Sequence, residues 1–459
     1  MKASRQQSAL RCSECGFSPP KWVGRCPECH AWGSVSEAGA TRGNAMPGPV
    51  SAPARPITEI DAVDAASSAT GIAELDRVLG GGLVPGGVVL LAGEPGVGKS
   101  TLLLDVAAHV AAQDGASVLL VSGEESAGQV RMRAGRVHAL HPDLYLAAET
   151  ELSAVLSHID EVKPRLLIVD SIQTITNSEV DAAVGGITHI RTVAAELAAI
   201  AKEREIATIL VGHVTKDGAI AGPRVLEHLV DVVLHFEGDR HTALRLLRTV
   251  KNRFGPADEV GCFQLSDCGI EGVADPSGLF LTKRLTAVAG SCVTVTLEGR
   301  RPLLTEVQAL VTPSPLSSPR RTVSGLDSAR FALVLAVLER RARLPMAVRD
   351  VFAATVGGAR VTEPAVDLAV ALAVASAARD HALPTDVVAI GEVGLSGDVR
   401  AVRGLQQRLA EAARHGFTRA LVPGGCEVDA PGIEVIEIYD MWQGILPLMQ
   451  QTAAAATSY

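Results

Sequence analysis

Residues Gly93-Glu94-Pro95-Gly96-Val97-Gly98-Lys99-Ser100, followed by Thr101, have the form GxxxxGK[ST]. Glycines at this spacing let successive backbone N–H groups close around phosphate oxygens at a helix N-terminus. The lysine then reaches the β and γ phosphates, and the serine hydroxyl ligates Mg²⁺. The flanking sequence supplies the required context, an apolar strand (VVLLA) before the glycines and an apolar-patterned helix (STLLLDVAAHV) after them. The ligands expected here are ATP and Mg²⁺, with Gly93 through Thr101 as the cradle.

Two carboxylate positions fit the same chemistry. Asp170 ends the apolar run RLLIVD, where a strand-terminal carboxylate can hold Mg²⁺ beside the phosphates. Glu124 and Glu125 follow another apolar run, SVLLVSG, and either can orient an attacking water; the alternative is an acidic cap on the next helix.

A second chemistry sits near the N-terminus. Cys12-x2-Cys15 and Cys26-x2-Cys29 are ten residues apart, with Gly16 and Pro27 at the turns, so four thiolates on two knuckles can surround Zn²⁺. The remaining cysteines, Cys262, Cys268, Cys292 and Cys426, are scattered, unlike a disulfide framework. His30 adjoins a site that four cysteines already fill. The module is too small to fold around its own core, so metal binding supplies its folding free energy. It either presents Lys21, Trp22 and Arg25 to a partner or uses Trp22 and Trp32 to cover the metal.

The elements that position these groups follow from patterning. Of 459 residues, 47% are hydrophobic, 20% charged and 3% aromatic, which fits several folded domains with Ala, Val and Leu cores and excludes a disordered chain or an aromatic base-stacking platform. The net charge of −9 excludes coating of nucleic acid through bulk charge. No run reaches the roughly 18 apolar residues of a membrane span, and a soluble cytoplasmic protein is expected. Residues 1–36 read as the zinc finger and 37–56 as a Gly/Ala/Pro-rich linker. Residues 57–272 alternate apolar strands (at 88, 117, 165 and 207) with helices, as in a parallel α/β sheet, and 273–459 form another α/β region. Within it, Val311–Arg321 reads as a break, with helices near Gly325–Arg343, Pro364–Arg379 and Val402–His415.

The strings GEPGVGKST, VSGEES, IVDSIQT and KNRFG (Lys251–Gly255), behind a four-cysteine finger, resemble the bacterial RadA (Sms) family. The resemblance implies a RecA-type core with a mostly parallel sheet flanked by helices, and makes Glu124 the catalytic carboxylate with Glu125 as fallback. It also implies that Lys251 and Arg253 act in trans on a neighbour's nucleotide and that His213 senses the γ-phosphate. The segments Gln173–Gly186 and Thr215–Pro223 would line a DNA channel, with Lys216 and Arg224 on phosphates. The implied protein is a hexameric, nucleoid-associated ATPase. It would translocate on single-stranded DNA and act on branched recombination intermediates, beside RecA and replication or recombination proteins.

The stretch from Lys283 onward looks like the Lon protease domain, whose chemistry is a Ser-Lys dyad. Matching its motifs puts Ala365 at the nucleophile and Gln406 at the base. Neither a methyl group nor an amide can do that work, so this region reads as a scaffold, with Arg320, Arg321, Arg340, Arg341 and Arg343 as a candidate DNA surface. An active Lon-type protease and a nucleotide-switched scaffold of the KaiC type are the alternatives.

Overall fold

The apolar runs that flag the strands are the interior of the molecule. In the computed structural model, which describes residues 10–12, 17–19, 21–37, 56–59, 66–179, 186–213, 226–238, 243–267, 269–282 and 286–445, contacts divide the chain into Met1–Ala62 and Val63–Tyr459. In the first unit, β1 (Leu10–Cys12) pairs antiparallel with β2 (Val35–Glu37). Its core is little more than Cys12, Cys26 and Val35, with Leu10 and Val23 against them. Nearly all of the 37–56 linker lies outside the described residues.

The second unit holds two large sheets. Strands β3 (Val88–Gly93), β4 (Val118–Ser122), β5 (Leu144–Ala147), β6 (Leu166–Asp170), β7 (Ala207–His213), β8 (Val232–Gly238), β9 (Leu244–Asn252), β10 (Val260–Ser266) and β11 (Gly269–Gly272) form the first, in the order β11-β10-β9-β8-β3-β7-β6-β4-β5. The six from β8 to β5 are parallel, and helices α1 (Ala73–Leu79), α2 (Lys99–Ala111), α3 (Ala127–Arg136), α4 (Leu152–Val162) and α5 (Ile187–Glu203) accompany them. β3 and β4 are buried along their whole length, as strands covered on both faces must be. The sheet is mostly parallel, as expected, and its exceptions are β9, β10 and β11, which run antiparallel. Their physical signature is visible in β9, which alternates between buried and half-exposed residues because one face is less covered.

The second sheet comprises β12 (Ser291–Glu298), β13 (Arg301–Pro313), β14 (Arg321–Ser324), β15 (Arg349–Thr355), β16 (Val387–Ala389), β19 (Arg419–Pro423) and β20 (Glu434–Ile438). A small hairpin of β17 (Glu392–Val393) and β18 (Val399–Arg400) accompanies it. Its helices are α6 (Ser328–Arg341), α7 (Asp367–Arg379) and α8 (Leu405–Arg414). The break expected at Val311–Arg321 begins later than the sequence suggests. β13 continues through Pro313, paired with Arg349, because a proline is tolerated at a strand end where no ladder N–H is needed.

The two sheets are bolted together by a buried ion pair. Glu74 of α1, 3% exposed, accepts a hydrogen bond from the Cys262 N–H at 2.8 Å and pairs with Arg301 at the start of β13. Arg301 also donates to the Val273 and Ala274 carbonyls at 3.1 and 2.8 Å, so its buried charge is fully partnered.

Candidate active site

Parallel pairing brings the expected residues to one sheet edge. Gly93 stands opposite His213, and Ser122 opposite Asp170, at the C-terminal ends of β3, β7, β4 and β6, the edge where open α/β sheets bind ligands. Gly96 and Gly98 have φ of 81° and 110°, a region that favours glycine, and a Cβ on Gly93 would lie 2.4 Å from the Phe236 carbonyl oxygen. Helix α2 starts at Lys99 with Gly98 as its cap, so no side chain satisfies its first N–H groups. The cradle therefore fits an anion: left-handed glycines, uncapped helix amides and a cation at its mouth.

Lys99 is 5% exposed, and its Nζ donates to the carbonyls of Gly93 at 2.8 Å and Glu94 at 3.0 Å. Burial lowers its pKa against the opposing pull of Asp170 and Glu124. Burial raises the Asp170 pKa, and the nearby charge of Glu124 adds to the rise. The Ser100 hydroxyl lies near enough to the Asp170 carboxyl to pull its pKa down, which places the two expected Mg²⁺ ligands side by side.

The two glutamates have different partners. Glu124 Oε1 accepts from Ser171 Oγ at 2.6 Å and from His213 Nε2 at 2.9 Å, facing Asp170 and Lys99. Burial works against its ionisation, but these hydrogen bonds and the neighbouring His213 and Lys99 charges outweigh it and hold its pKa below the ordinary value. Glu125 is instead paired with Arg133 of α3. Neither glutamate caps that helix, because Ser126 does so in a capping box with Gln129. Ser171 is the residue the sequence reading missed; its only signal was its place directly after Asp170. His213 Nδ1 is buried and has no partner among the described residues.

Lys251 and Arg253 are not brought to this site. Because β9 is antiparallel to β8, Asn252 stands opposite Val232, whereas Gly93 stands opposite Phe236. Four residues along β8 separate those levels, about 13 Å at strand rise. Both cations thus lie toward the opposite edge of the sheet from their own cradle. Lys251 Nζ donates to the Glu227 and Val230 carbonyls at 2.5 and 2.7 Å, and burial, with Arg253 adding, lowers its pKa. Arg253 pairs with Asp231 at 3.0 Å and remains 54% exposed. Lys216 and Arg224, like the whole Thr215–Pro223 segment and residues 180–185 of the other candidate DNA segment, lie outside the described residues.

In the N-terminal unit, a sulfur from each of Cys12, Cys26 and Cys29 lies within 4.8 Å of the other two. Cys15 lies outside the described residues. Trp22 and Trp32 are 67% and 78% exposed, so they do not act as a cover over the thiols, and Arg25 stacks 5.9 Å from the Trp32 ring centre. In the C-terminal region, Ala365 is buried and Gln406 exchanges hydrogen bonds with the backbone of Asp429. Beside them, Arg408 forms a two-pronged pair with Glu363 at 2.6 and 2.7 Å. All five candidate surface arginines are exposed.

Comparison with known proteins agrees with this layout. An AAA domain model matches residues 53–219, a rubredoxin metal-binding domain model matches 11–37, and a model of the ChlI subunit of Mg-chelatase matches 357–425. The DNA repair protein RadA of Mycolicibacterium smegmatis is 57% identical over 450 residues, spanning 95% of this chain and 96% of its own. The chain belongs to the RadA family. RadA of Mycobacterium tuberculosis H37Rv is 58% identical over 94% of this chain and 91% of its own, and RadA of Streptococcus pyogenes serotype M1 is 44% identical over 96% and 98%. The AAA match covers the cradle, Glu124, Asp170 and His213, whereas Lys251 and Arg253 lie beyond its end. The metal-binding match includes Cys12, Cys15, Cys26 and Cys29. No described helix is long and apolar enough to cross a membrane.

Proposed function

We propose that this chain is a DNA-dependent ATPase that translocates on single-stranded DNA and drives branch migration of recombination intermediates during DNA repair. The observation that carries the reading is the convergence of Lys99, Ser100, Glu124, Asp170 and His213 on one sheet edge, with Lys251 and Arg253 toward the other. In this reading Lys99 leaves the Gly93 and Glu94 carbonyls for the β and γ phosphates, while the α2 N–H groups hold the phosphate oxygens. Ser100 and Asp170 would hold Mg²⁺, which would supply neutralisation of phosphate charge when bound. Glu124, kept ionised, orients the attacking water and accepts its proton. His213, bonded to Glu124, links the site to the segment that follows β7.

Cations remote from their own cradle support action on a neighbour's nucleotide, hence an oligomer, for which a ring of six subunits is the family expectation. A trans cation near the γ-phosphate is worth about 10³ to 10⁵ in rate. Cys12, Cys15, Cys26 and Cys29 would hold a structural Zn²⁺, leaving Trp22 and Arg25 free to meet DNA or a protein such as RecA. Lys216 and Arg224 remain the candidate DNA phosphate contacts, and a bacterial, nucleoid-associated cytoplasmic location follows from the same reading. A Lon-type protease is disfavoured by the buried Ala365 methyl and the amide of Gln406.

The test is steady-state ATP hydrolysis with and without single-stranded DNA, using Lys99→Ala as the blank at a stated salt concentration. Stimulation that fades with added salt supports the motor. Turnover indifferent to DNA overturns it in favour of a switch or scaffold.

A further inference from the structure

The motif Lys251–Gly255 contains two cations, but its asparagine is the residue with the most specific surroundings. Asn252 Nδ2 donates to the carbonyls of Leu79 at 3.1 Å and Val78 at 3.4 Å, the last turn of α1. Its Oδ1 accepts from the N–H groups of Phe254 at 2.8 Å and Gly255 at 3.1 Å. One side chain thus satisfies carbonyls that a helix end leaves without partners and also closes the loop carrying Arg253. Thr249 Oγ1 reinforces the grip, donating to the Val78 carbonyl at 2.9 Å. Only an amide offers donor and acceptor together at this reach; a carboxylate lacks the donors and a serine is too short.

The contact is also sterically exclusive. A Cβ on Gly80 would lie 3.1 Å from Gly255 Cα, and one on Gly255 would lie 3.0 Å from Gly80 Cα, so the loop and the turn after α1 touch backbone to backbone. Helix α1 is anchored in turn by Glu74, buried against Arg301 and the Cys262 N–H. The loop is therefore fixed to a short strut whose other hold comes from the C-terminal sheet.

We infer that Asn252 is a positioning residue for Lys251 and Arg253, setting where these cations stand for the neighbouring subunit's nucleotide; this rests on the trans reading proposed above. Among the described residues nothing ties Asn252 to its own cradle, toward the other edge of the sheet. Misplacing a group by about 1 Å can cost up to about 10²-fold in rate. Asn252→Ala is accordingly expected to lose about tenfold or more in ATP-driven branch migration, while binding a fluorescent ATP analogue as the unaltered chain does.

The deciding experiment mixes full-length variants. Lys99→Ala has a dead cradle and an intact loop, whereas Asn252→Ala has a live cradle and a displaced loop. Co-assembled, the two are expected to exceed the sum of their separate branch-migration activities, because a live cradle meets an intact neighbouring loop. The same mixture with Lys251→Ala tests the trans reading itself. If Lys251→Ala complements Lys99→Ala and Asn252→Ala does not, the positioning role is overturned. If neither complements, trans action fails and the inference falls with it. Asn252→Asp, which retains the acceptors toward Phe254 and Gly255 and loses only the donors, guards against a simple folding defect and is expected to complement as well; loss of analogue binding by both variants would overturn the proposal.

Discussion

His213 Nε2 lies 2.9 Å from Glu124 Oε1, joining the end of β7 to the loop after β4. A carboxylate only accepts, so His213 donates through Nε2, which fixes the orientation of the Glu124 carboxylate together with the Ser171 hydroxyl. The same carboxylate cannot be replaced by its neighbour, because Glu125 is turned to Arg133.

Glu124→Gln is accordingly expected to lower kcat by about 10² to 10⁴, the usual worth of a positioned general base. Glu125→Gln removes a largely surface-type ion pair, worth at most about 1 kcal/mol, and should leave turnover near its original level. Parallel ATPase assays of the two variants check this, and equal losses would reject the assignment.

The acid side of the pH profile is predicted to belong to Asp170. Its pKa is raised, by burial first, whereas that of Glu124 is lowered, so of the two carboxylates Asp170 is the one whose protonation is shifted toward neutral pH. A protonated Asp170 cannot hold Mg²⁺, and the metal favours the ionised form, so raising Mg²⁺ should move the acid limb of kcat/KM to lower pH. A limb that ignores Mg²⁺ would point to another group.

Arg408→Met should destabilise the C-terminal sheet by about 3–5 kcal/mol, the cost of stranding a buried charge. The Arg408 side chain is 1% exposed, and its hydrogen bonds and charge, against the effect of burial, hold the Glu363 pKa below the ordinary value. A depressed carboxylate stabilises above its unfolded pKa and loses that contribution as pH falls through the folded one. The gap between wild type and variant should therefore be wide at neutral pH and narrow in acid. Hydrogen exchange at the Leu297 amide, which donates to Glu363 at 2.8 Å, reads it locally.

Stoichiometric zinc is expected to be released from the N-terminal unit by a thiol-reactive reagent, and Cys26→Ser is expected to lose it. With so few apolar residues in that core, metal loss should unfold the unit while ATP-analogue binding persists. Colorimetric zinc release alongside the binding assay checks both halves. Full zinc retention in Cys26→Ser would remove that residue from the ligand set.

What the sequence disclosed was local. The cradle is a contiguous string between a strand and a helix; Asp170 and His213 end apolar runs; cysteine spacing is itself the signal. What it withheld depends on chain topology. The pairing of Glu74 with Arg301 spans 227 residues and the grip of Asn252 on Leu79 spans 173, and neither residue's neighbours in sequence announce its partner. The choice of Glu124 over Glu125 was hidden because both adjoin the same strand end, and only the fold decides which one meets Ser171 and His213. The antiparallel β9–β11 left only a weak trace, the alternation along β9, which in one short strand does not fix the strand direction.

Arg301 has a consequence for how such a protein can be dismantled. A shortened chain ending at Gly272 would keep the cradle, Glu124, Asp170 and His213, yet it would remove the Arg301 partner of the buried Glu74, leaving that carboxylate only the Cys262 N–H and the more distant Arg77. Such a core is expected to be less stable than the full chain unless the acid at position 74 is replaced as well.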